Sequence, residues 1–360
     1  MGELKLMKGN EAVAEAAIRA GADGYFGYPI TPQSEVIEYL MAEKPYERTG
    51  MVVLQAESEI AAINMVYGAA GTGKKAMTSS SSPGISLKME GISYLAGTEL
   101  PCVILNVVRG GPGLGTIQPS QADYFQATKG GGHGDYRMIV LAPASVQEMS
   151  DFVKLGFELA FKYRNPLMIL SDGVIGQMME KVELFDPIPR WTDEEIIEMS
   201  PWATTGRTMN RERNILTSLD LDPSRQEKHN EKLVAKYKKI SENEIRFEKI
   251  NCEDIDYLFV AYGSSSRICQ KSIQLAKEKG IKVGLLRPIT LYPYPTKAIQ
   301  DMLGNIKGIL CVEMSAGQMV EDVRLAVEGK VPVEHYGRMG GIVHSPQEVV
   351  EALEQKIIGG

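Results

Sequence analysis

Cysteine is scarce in this 360-residue chain, and its four copies stand singly at Cys102, Cys252, Cys269 and Cys311. No pair has CxxC spacing, which argues against a zinc knuckle or an iron–sulfur cluster held by this chain alone. Cys102 and Cys311 fall in apolar runs, where buried and inert thiols are expected. A basic excess is missing as well: the net charge is −7 and no basic stripe is present, which argues against nucleic acid as the main partner. No uncharged apolar run reaches the ~18 residues of a membrane span. The opening residues lack the apolar stretch of a signal peptide, so a cytoplasmic location is expected. What is present, 44% hydrophobic and 24% charged residues, is ordinary globular composition with length enough for two domains.

Along the chain, helix and strand signals alternate through residues 1–188. Asn10 to Ala20 reads as an Asn-capped helix closed by Gly21. Short apolar runs at Met51–Gln55, Ala76–Ser79, Cys102–Val108, Met138–Ala142 and Leu167–Ser171 read as strands. Strands apolar on both faces, alternating with helices, predict a parallel sheet covered on both sides. Residues 189–250 change character, with interrupting prolines and then a charge-dense stretch. There Leu233, Tyr237 and Ile240 predict a solvated linker helix with a narrow apolar face. Alternation resumes in 251–360, a second and smaller α/β domain ending in a tail near Ile357.

Four places offer chemistry. In Tyr28-Pro29-Ile30-Thr31-Pro32 the prolines hold the chain extended, Thr31 suits a helix cap and Pro32 a first helical turn. Such a terminus binds small anions, a carboxylate for example. Glu57 and Glu59 open a helix; dipole complementation explains Glu57, whereas Glu59 precedes an apolar face and needs a partner if it enters the core. Arg109 follows the strand Cys102–Val108 and precedes a glycine-rich loop, a place where a guanidinium can clamp a carboxylate. Ser79 to Ser82, after another strand, can border a ligand, and the loop around His133 could close over one. Gly68 to Lys74 matches the glycines and lysine of a P-loop, but Lys75 replaces the metal-binding hydroxyl and the run ends a helix, so a glycine C-cap is the better reading. His229, His335 and His344 show no metal-ligand grouping.

Together, Tyr28–Pro32, Glu57-Ser58-Glu59-Ile60-Ala61-Ala62, Ser80–Gly84 and Val107–Pro112 resemble the alpha subunit of 2-oxoacid:ferredoxin oxidoreductases, which are thiamine-diphosphate enzymes. The resemblance spans nearly the whole chain. It implies a pyrimidine-binding-type domain at 1–188, a charged linker at 189–250 and a transketolase C-terminal-like domain at 251–360. It further implies that Glu59 hydrogen-bonds N1′ of the aminopyrimidine and favours the imino tautomer that activates the thiazolium carbon. Thr31 and Arg109 would bind the substrate's keto and carboxylate groups. Tyr28, Pro29 and Ser82 would border the cofactor, and Leu114, Ile117 and His133 the substrate.

The diphosphate and Mg2+ segment of this family, Gly-Asp-Gly…Asn, has no match here. The expected enzyme therefore shares thiamine diphosphate with a beta subunit, which brings the Mg2+. Iron–sulfur clusters and ferredoxin contact would also lie on partners, with gamma and delta subunits as further candidates, and the isolated chain is expected to dimerise. No Lys or Arg lies between Arg109 and Lys129 to hold a second carboxylate. Leu114 and Ile117 favour a branched-chain acid, 2-oxoisovalerate, over 2-oxoglutarate. Two rivals remain: a decarboxylase that releases an aldehyde, and a non-catalytic assembly subunit.

Overall fold

The computed structural model describes residues 3–206 and 212–359. A two-stranded antiparallel ribbon, β1 (Glu3–Lys8) with β8 (Met179–Leu184), flanks the first unit. Its main sheet contains β2 (Gly24–Gly27), β3 (Val52–Gln55), β4 (Ala76–Ser80), β5 (Cys102–Val108), β6 (Ile139–Leu141), β7 (Pro166–Asp172) and β12 (Thr290–Tyr292). The order is β12-β6-β7-β5-β4-β2-β3, and only β12 runs antiparallel to its neighbour. Every residue of β5 and β7 is buried, as expected for central strands with helices on both faces. The second sheet holds β9 (Phe247–Ile250), β10 (Tyr257–Val260), β11 (Val283–Pro288), β13 (Gly308–Glu313) and β14 (Val333–Gly337). Its order is β14-β13-β10-β11-β9, with β9 alone antiparallel.

Four expectations change. Asn10 lies inside its helix (Gly9–Arg19) rather than capping it, buried with its amide donating to Pro32 O at 2.7 Å. The charged helix, Pro223–Asn243, is not a solvated linker. Leu233, Tyr237 and Ile240 are buried, and Lys232 and Lys236 both pair with Glu99. Burial and the neighbouring cations pull Lys236 down to about 8. The tail is helical, Pro346–Leu353, with Val349, Val350 and Leu353 in the second core. Finally, Thr290–Tyr292 leaves the second unit to complete the first sheet, through backbone bonding that side-chain periodicity does not report.

The two units meet through buried polar groups. Gln121 donates to Tyr262 O at 2.9 Å and accepts from Ser265 Oγ at 2.6 Å and Met314 N at 2.9 Å. The helix Gly263–Glu278 begins against Asp172, whose carboxylate accepts from Ser264 N and Ser264 Oγ. The N-terminus of this helix, a place that attracts anions, is thus occupied by the chain's own carboxylate.

His344 is buried at this junction, its Nε2 3.1 Å from Ser265 Oγ while Nδ1 lacks a partner among the described residues. Burial pulls its pKa from 6.5 down to about 4. In that window the unfolded chain binds a proton that the folded chain refuses. Stability present above pH 6.5 is therefore lost as pH falls toward 4, by up to about 3 kcal/mol. Thermal unfolding across this window should show the loss, and His344→Gln should flatten it.

Candidate active site

Parallel strands β2, β4, β5 and β7 end on one edge of the first sheet, where ligands of open α/β sheets bind. The chain leaves β2 as Tyr28–Pro32, β4 as Ser81–Ser82 and β5 as Arg109, so sequence-distant segments converge there.

Glu59 is the first residue of the helix Glu59–Gly71, capped by Ser58 Oγ accepting from Ala61 N at 3.2 Å. Its side chain is only 6% exposed, and no hydrogen bond to it exists among the described residues. It rests on Gly84, at the start of the helix Pro83–Gly97. A Cβ at Gly84 would stand 2.6 Å from Glu59 Oε1 and 2.1 Å from Ser80 Oγ. The missing side chain makes a cradle in which a buried carboxylate and a serine hydroxyl converge. Ser80 Oγ and Ser81 Oγ are buried without partners among the described residues. Buried polar atoms without protein partners call for a polar ligand. Gly84→Ala should displace Glu59 and cost about 1–3 kcal/mol in stability from overpacking. Thermal unfolding and thiamine diphosphate titration of the assembled complex would check it: a modest drop in unfolding temperature with a large loss of affinity is the expected pair.

Arg109 is buried at 8% exposure. Nη1 donates to Thr31 O and Nη2 to Leu114 O, both at 3.0 Å, while Nε has no partner among the described residues. The guanidinium thus ties the Thr31 segment to the glycine-rich loop and keeps a donor free. Ser82 braces the corner, donating to Arg109 O at 3.2 Å and accepting from Arg109 N at 3.1 Å. Its φ of 24° lies in the left-handed region, an unfavourable conformation for serine that these bonds offset. Asn106 Oδ1 accepts from Ser82 N at 3.2 Å, and Asn106 Nδ2 donates to Asp123, whose carboxyl burial pushes up.

Thr31 reaches the site, but not as a cap. The helix starts at Ser34, with Gln33 in the cap position; Thr31 is exposed in the extended segment before it. Tyr28 and Pro29 are half-buried beside it. Leu114 and Ile117 sit on the exposed outer side of the loop, at 82% and 56%, and Leu114 meets the site through its carbonyl. His133 does not join the group. Its carbonyl accepts from Ser93 and its ring lies 6.1 Å from that of Tyr94, toward the far end of the Pro83–Gly97 helix.

Sequence reasoning missed a buried relay behind Tyr28: Tyr25 OH meets Ser79 Oγ at 2.5 Å, Ser79 Oγ meets Gln33, and Gln33 donates to Tyr28 O at 3.3 Å. Lys88 was missed too. It is fully buried one helical turn below Gly84, with Nζ 2.5 Å from Thr78 Oγ1 and 3.3 Å from Ser79 O. A signal existed, since Lys88 occupies an apolar position in the stripe Ile85, Met89, Ile92.

Residues 15–249 match the family model described as pyruvate flavodoxin/ferredoxin oxidoreductase, thiamine diphosphate-binding. Residues 255–349 match pyruvate:ferredoxin oxidoreductase core domain II. The chain belongs to this oxidoreductase family. Ketoisovalerate oxidoreductase subunit VorB of Methanothermobacter thermautotrophicus is 49% identical, over 98% of this chain and 97% of its own. The 2-oxoglutarate synthase subunit KorA of Methanocaldococcus jannaschii is 37% identical, over 99% and 100%. Among solved structures, 2-oxoglutarate:ferredoxin oxidoreductase from Magnetococcus marinus, with 2-oxoglutarate, coenzyme A and succinyl-CoA bound, superposes with a TM-score of 0.86. It is 28% identical and covers 99% of this chain and 66% of that one. The family's thiamine-diphosphate-binding domain thus coincides with the unit that carries Glu59, Ser80 and Arg109. Among the described residues no helix is long and apolar enough to cross a membrane, and no group of acidic, His and Cys side chains could hold a metal.

Proposed function

We propose that this chain is the alpha-type subunit of a cytoplasmic 2-oxoisovalerate:ferredoxin oxidoreductase. The reaction joins a branched-chain 2-oxoacid to coenzyme A, releases carbon dioxide and passes two electrons to ferredoxin. The observation that carries this reading is the buried Glu59 carboxylate, without a protein partner among the described residues, on the Gly84 cradle beside Arg109. Glu59 and the two serine hydroxyls would hold the aminopyrimidine end of thiamine diphosphate. When bound, that group supplies a carbon nucleophile for the keto carbon and an acceptor for the electron pair freed on decarboxylation.

Within this chain, Glu59 holds a proton at N1′ of the pyrimidine. Arg109 presents Nε and its remaining hydrogens to the substrate carboxylate and retains that charge until carbon dioxide departs. Thr31, tied to Arg109 through its carbonyl, supplies a hydroxyl donor for the keto oxygen. Tyr28 and Pro29 border the ring, and Ser82 holds the corner that carries Arg109. A beta subunit would contribute the diphosphate and Mg2+ site. Iron–sulfur clusters and the ferredoxin contact would belong to the beta, gamma or delta partners. Exposed Ile60, Met65 and Leu87, on the two helices that carry the site, support a partner-facing surface and dimerisation of the chain.

The branched-chain assignment draws on the VorB relatives and on the loop 110–128, which has no cation and exposes Leu114 and Ile117. The KorA relatives support 2-oxoglutarate as the second reading. Methyl-viologen reduction by the co-purified complex, with coenzyme A, separates them. A higher kcat/KM for 2-oxoisovalerate is expected; preference for 2-oxoglutarate would overturn the substrate assignment, and no reduction with either would overturn the reaction. Leu114→Lys should lower kcat/KM for the branched acid if the loop lines the pocket once partners assemble; unchanged kinetics would remove it from the pocket.

A further inference from the structure

Opposite the edge that carries Glu59 and Arg109, where the strands of the first sheet begin, the chain encloses a cavity of about 410 Å³. Ala20, at the end of the helix Gly9–Arg19, and Lys75, just before β4, line it. So do Phe157 and Phe161 of the helix Val146–Tyr163, together with Trp191 and Trp202, the two tryptophans of the whole chain. A volume of this size, mostly apolar with a few polar groups, has the anatomy of a small-molecule site. The five residues of β4 separate Lys75 from Ser80 in the Glu59 cradle by roughly 16 Å, so a molecule here does not reach the catalytic groups.

Lys75 is the buried charge of this cavity, at 6% exposure. Its Nζ donates to Ala20 O at 3.0 Å and stands 4.4 Å from the centroid of the Trp191 ring. Phe161 meets that ring edge-on, with centroids 4.8 Å apart and planes at 87°. The indole face attracts the cation, but two of the three ammonium hydrogens have no acceptor among the described residues. The neighbouring carboxylates are committed or in water. Asp23 pairs with Arg190 at 2.7 Å and accepts from the Lys75 backbone N–H at 2.8 Å. Glu244 takes Lys162 at 2.6 Å, and Glu158 is exposed on the rim. Lys154, also lining the cavity, makes no ion pair among the described residues and stands 5.6 Å from the Phe185 ring. Two cations without carboxylate partners, set among aromatic walls, are complementary to an anion with a flat apolar body.

We propose that this cavity binds a small aromatic carboxylate, its ring against the tryptophan and phenylalanine side chains and its carboxylate on Lys75. Lys154 adds positive charge beside it. Two sources share this chemistry, a free aryl acid and an aromatic amino acid. They differ by an ammonium group, which exposed Glu158 would meet at the rim.

Calorimetry at pH 7 on the co-purified complex, without 2-oxoacid, tests the site. The probes are indole-3-acetate and L-tryptophan, with the methyl ester of indole-3-acetate as the uncharged control. At least one acid should bind saturably, ~10-fold or more tightly than the ester, as expected for hydrogen bonds between charged groups. Lys75→Met should bring that acid down to the affinity of the ester and leave the ester unchanged. Tighter binding of indole-3-acetate identifies a free acid as the source, and tighter binding of L-tryptophan an amino acid. If Lys75→Met fails to assemble, Lys154→Glu decides, since it reverses a charge without emptying the buried position. It should weaken the acid several-fold and spare the ester. Failure of both acids to bind overturns the proposal, as does an acid that binds no better than the ester. An acid whose affinity survives Lys75→Met, or Lys154→Glu in its place, overturns it too, because that acid then sits elsewhere in the complex.

Discussion

Arg109→Lys in the assembled enzyme is expected to lower kcat/KM for its 2-oxoacid by ~10²-fold or more, although the positive charge is kept. The guanidinium performs two tasks that an ammonium cannot perform together. It spans Thr31 O and Leu114 O at 3.0 Å each, and it leaves Nε and further hydrogens for a carboxylate. A lysine reaches one of these positions as a point charge, leaving one of the two carbonyl ties unmade and the substrate held in one direction only. Losing hydrogen bonds to a charged group costs about 1.5–3 kcal/mol each, which sets the scale of the loss. Steady-state kinetics should show KM rising and kcat falling together, because Thr31 moves when its tie is cut. Arg109→Ala should go further. A complex that kept its full rate with Arg109→Ala would instead be one in which this chain only assembles the others.

Glu59→Gln is expected to lower kcat by ~10²–10⁴-fold, the usual weight of a positioned acid–base group. The effect should fall on chemistry rather than on folding. No protein hydrogen bond to the carboxylate exists among the described residues, so an amide of the same shape leaves none unmade, and the thermal midpoint should fall only modestly, through the lost charge near buried Lys88. Aldehyde release analysed beside methyl-viologen reduction would also test the decarboxylase rival. If both products vanish in Glu59→Gln, one carboxylate serves whichever fate the substrate takes. A Glu59→Gln complex with an unchanged kcat would remove Glu59 from the reaction.

Much of the first sheet is legible from the sequence. Cys102–Val108 reads as a strand from one apolar run and is one, with every residue buried. The run Ser145–Phe161 reads as a helix, and the structure has it at Val146–Tyr163 with Ser145 as its cap. The turn segments are less legible. Thr31 reads as a helix cap because Thr-Pro is a favoured start, yet Gln33 holds that position. The segment is instead fastened from outside, by Asn10 and Gln177 on Pro32 O and by Arg109 on Thr31 O. The charged helix Pro223–Asn243 reads as solvated because its apolar stripe is narrow; three side chains, with lysine pairs to Glu99, nonetheless dock it on the first unit.

The sequence by itself determined the central strands of the first sheet and several of the long helices, and which chemical groups stand at the strand ends. Those properties follow from local periodicity and from the residues that punctuate it. Only the tertiary structure decided which of those groups meet. It set Glu59 on Gly84, enclosed Lys88 beneath it, filled the Gly263 entrance with Asp172 and drew His133 away to Ser93 and Tyr94. The reason is physical: a local pattern reports that a face is buried, whereas its partner is chosen by close packing between segments far apart in the chain.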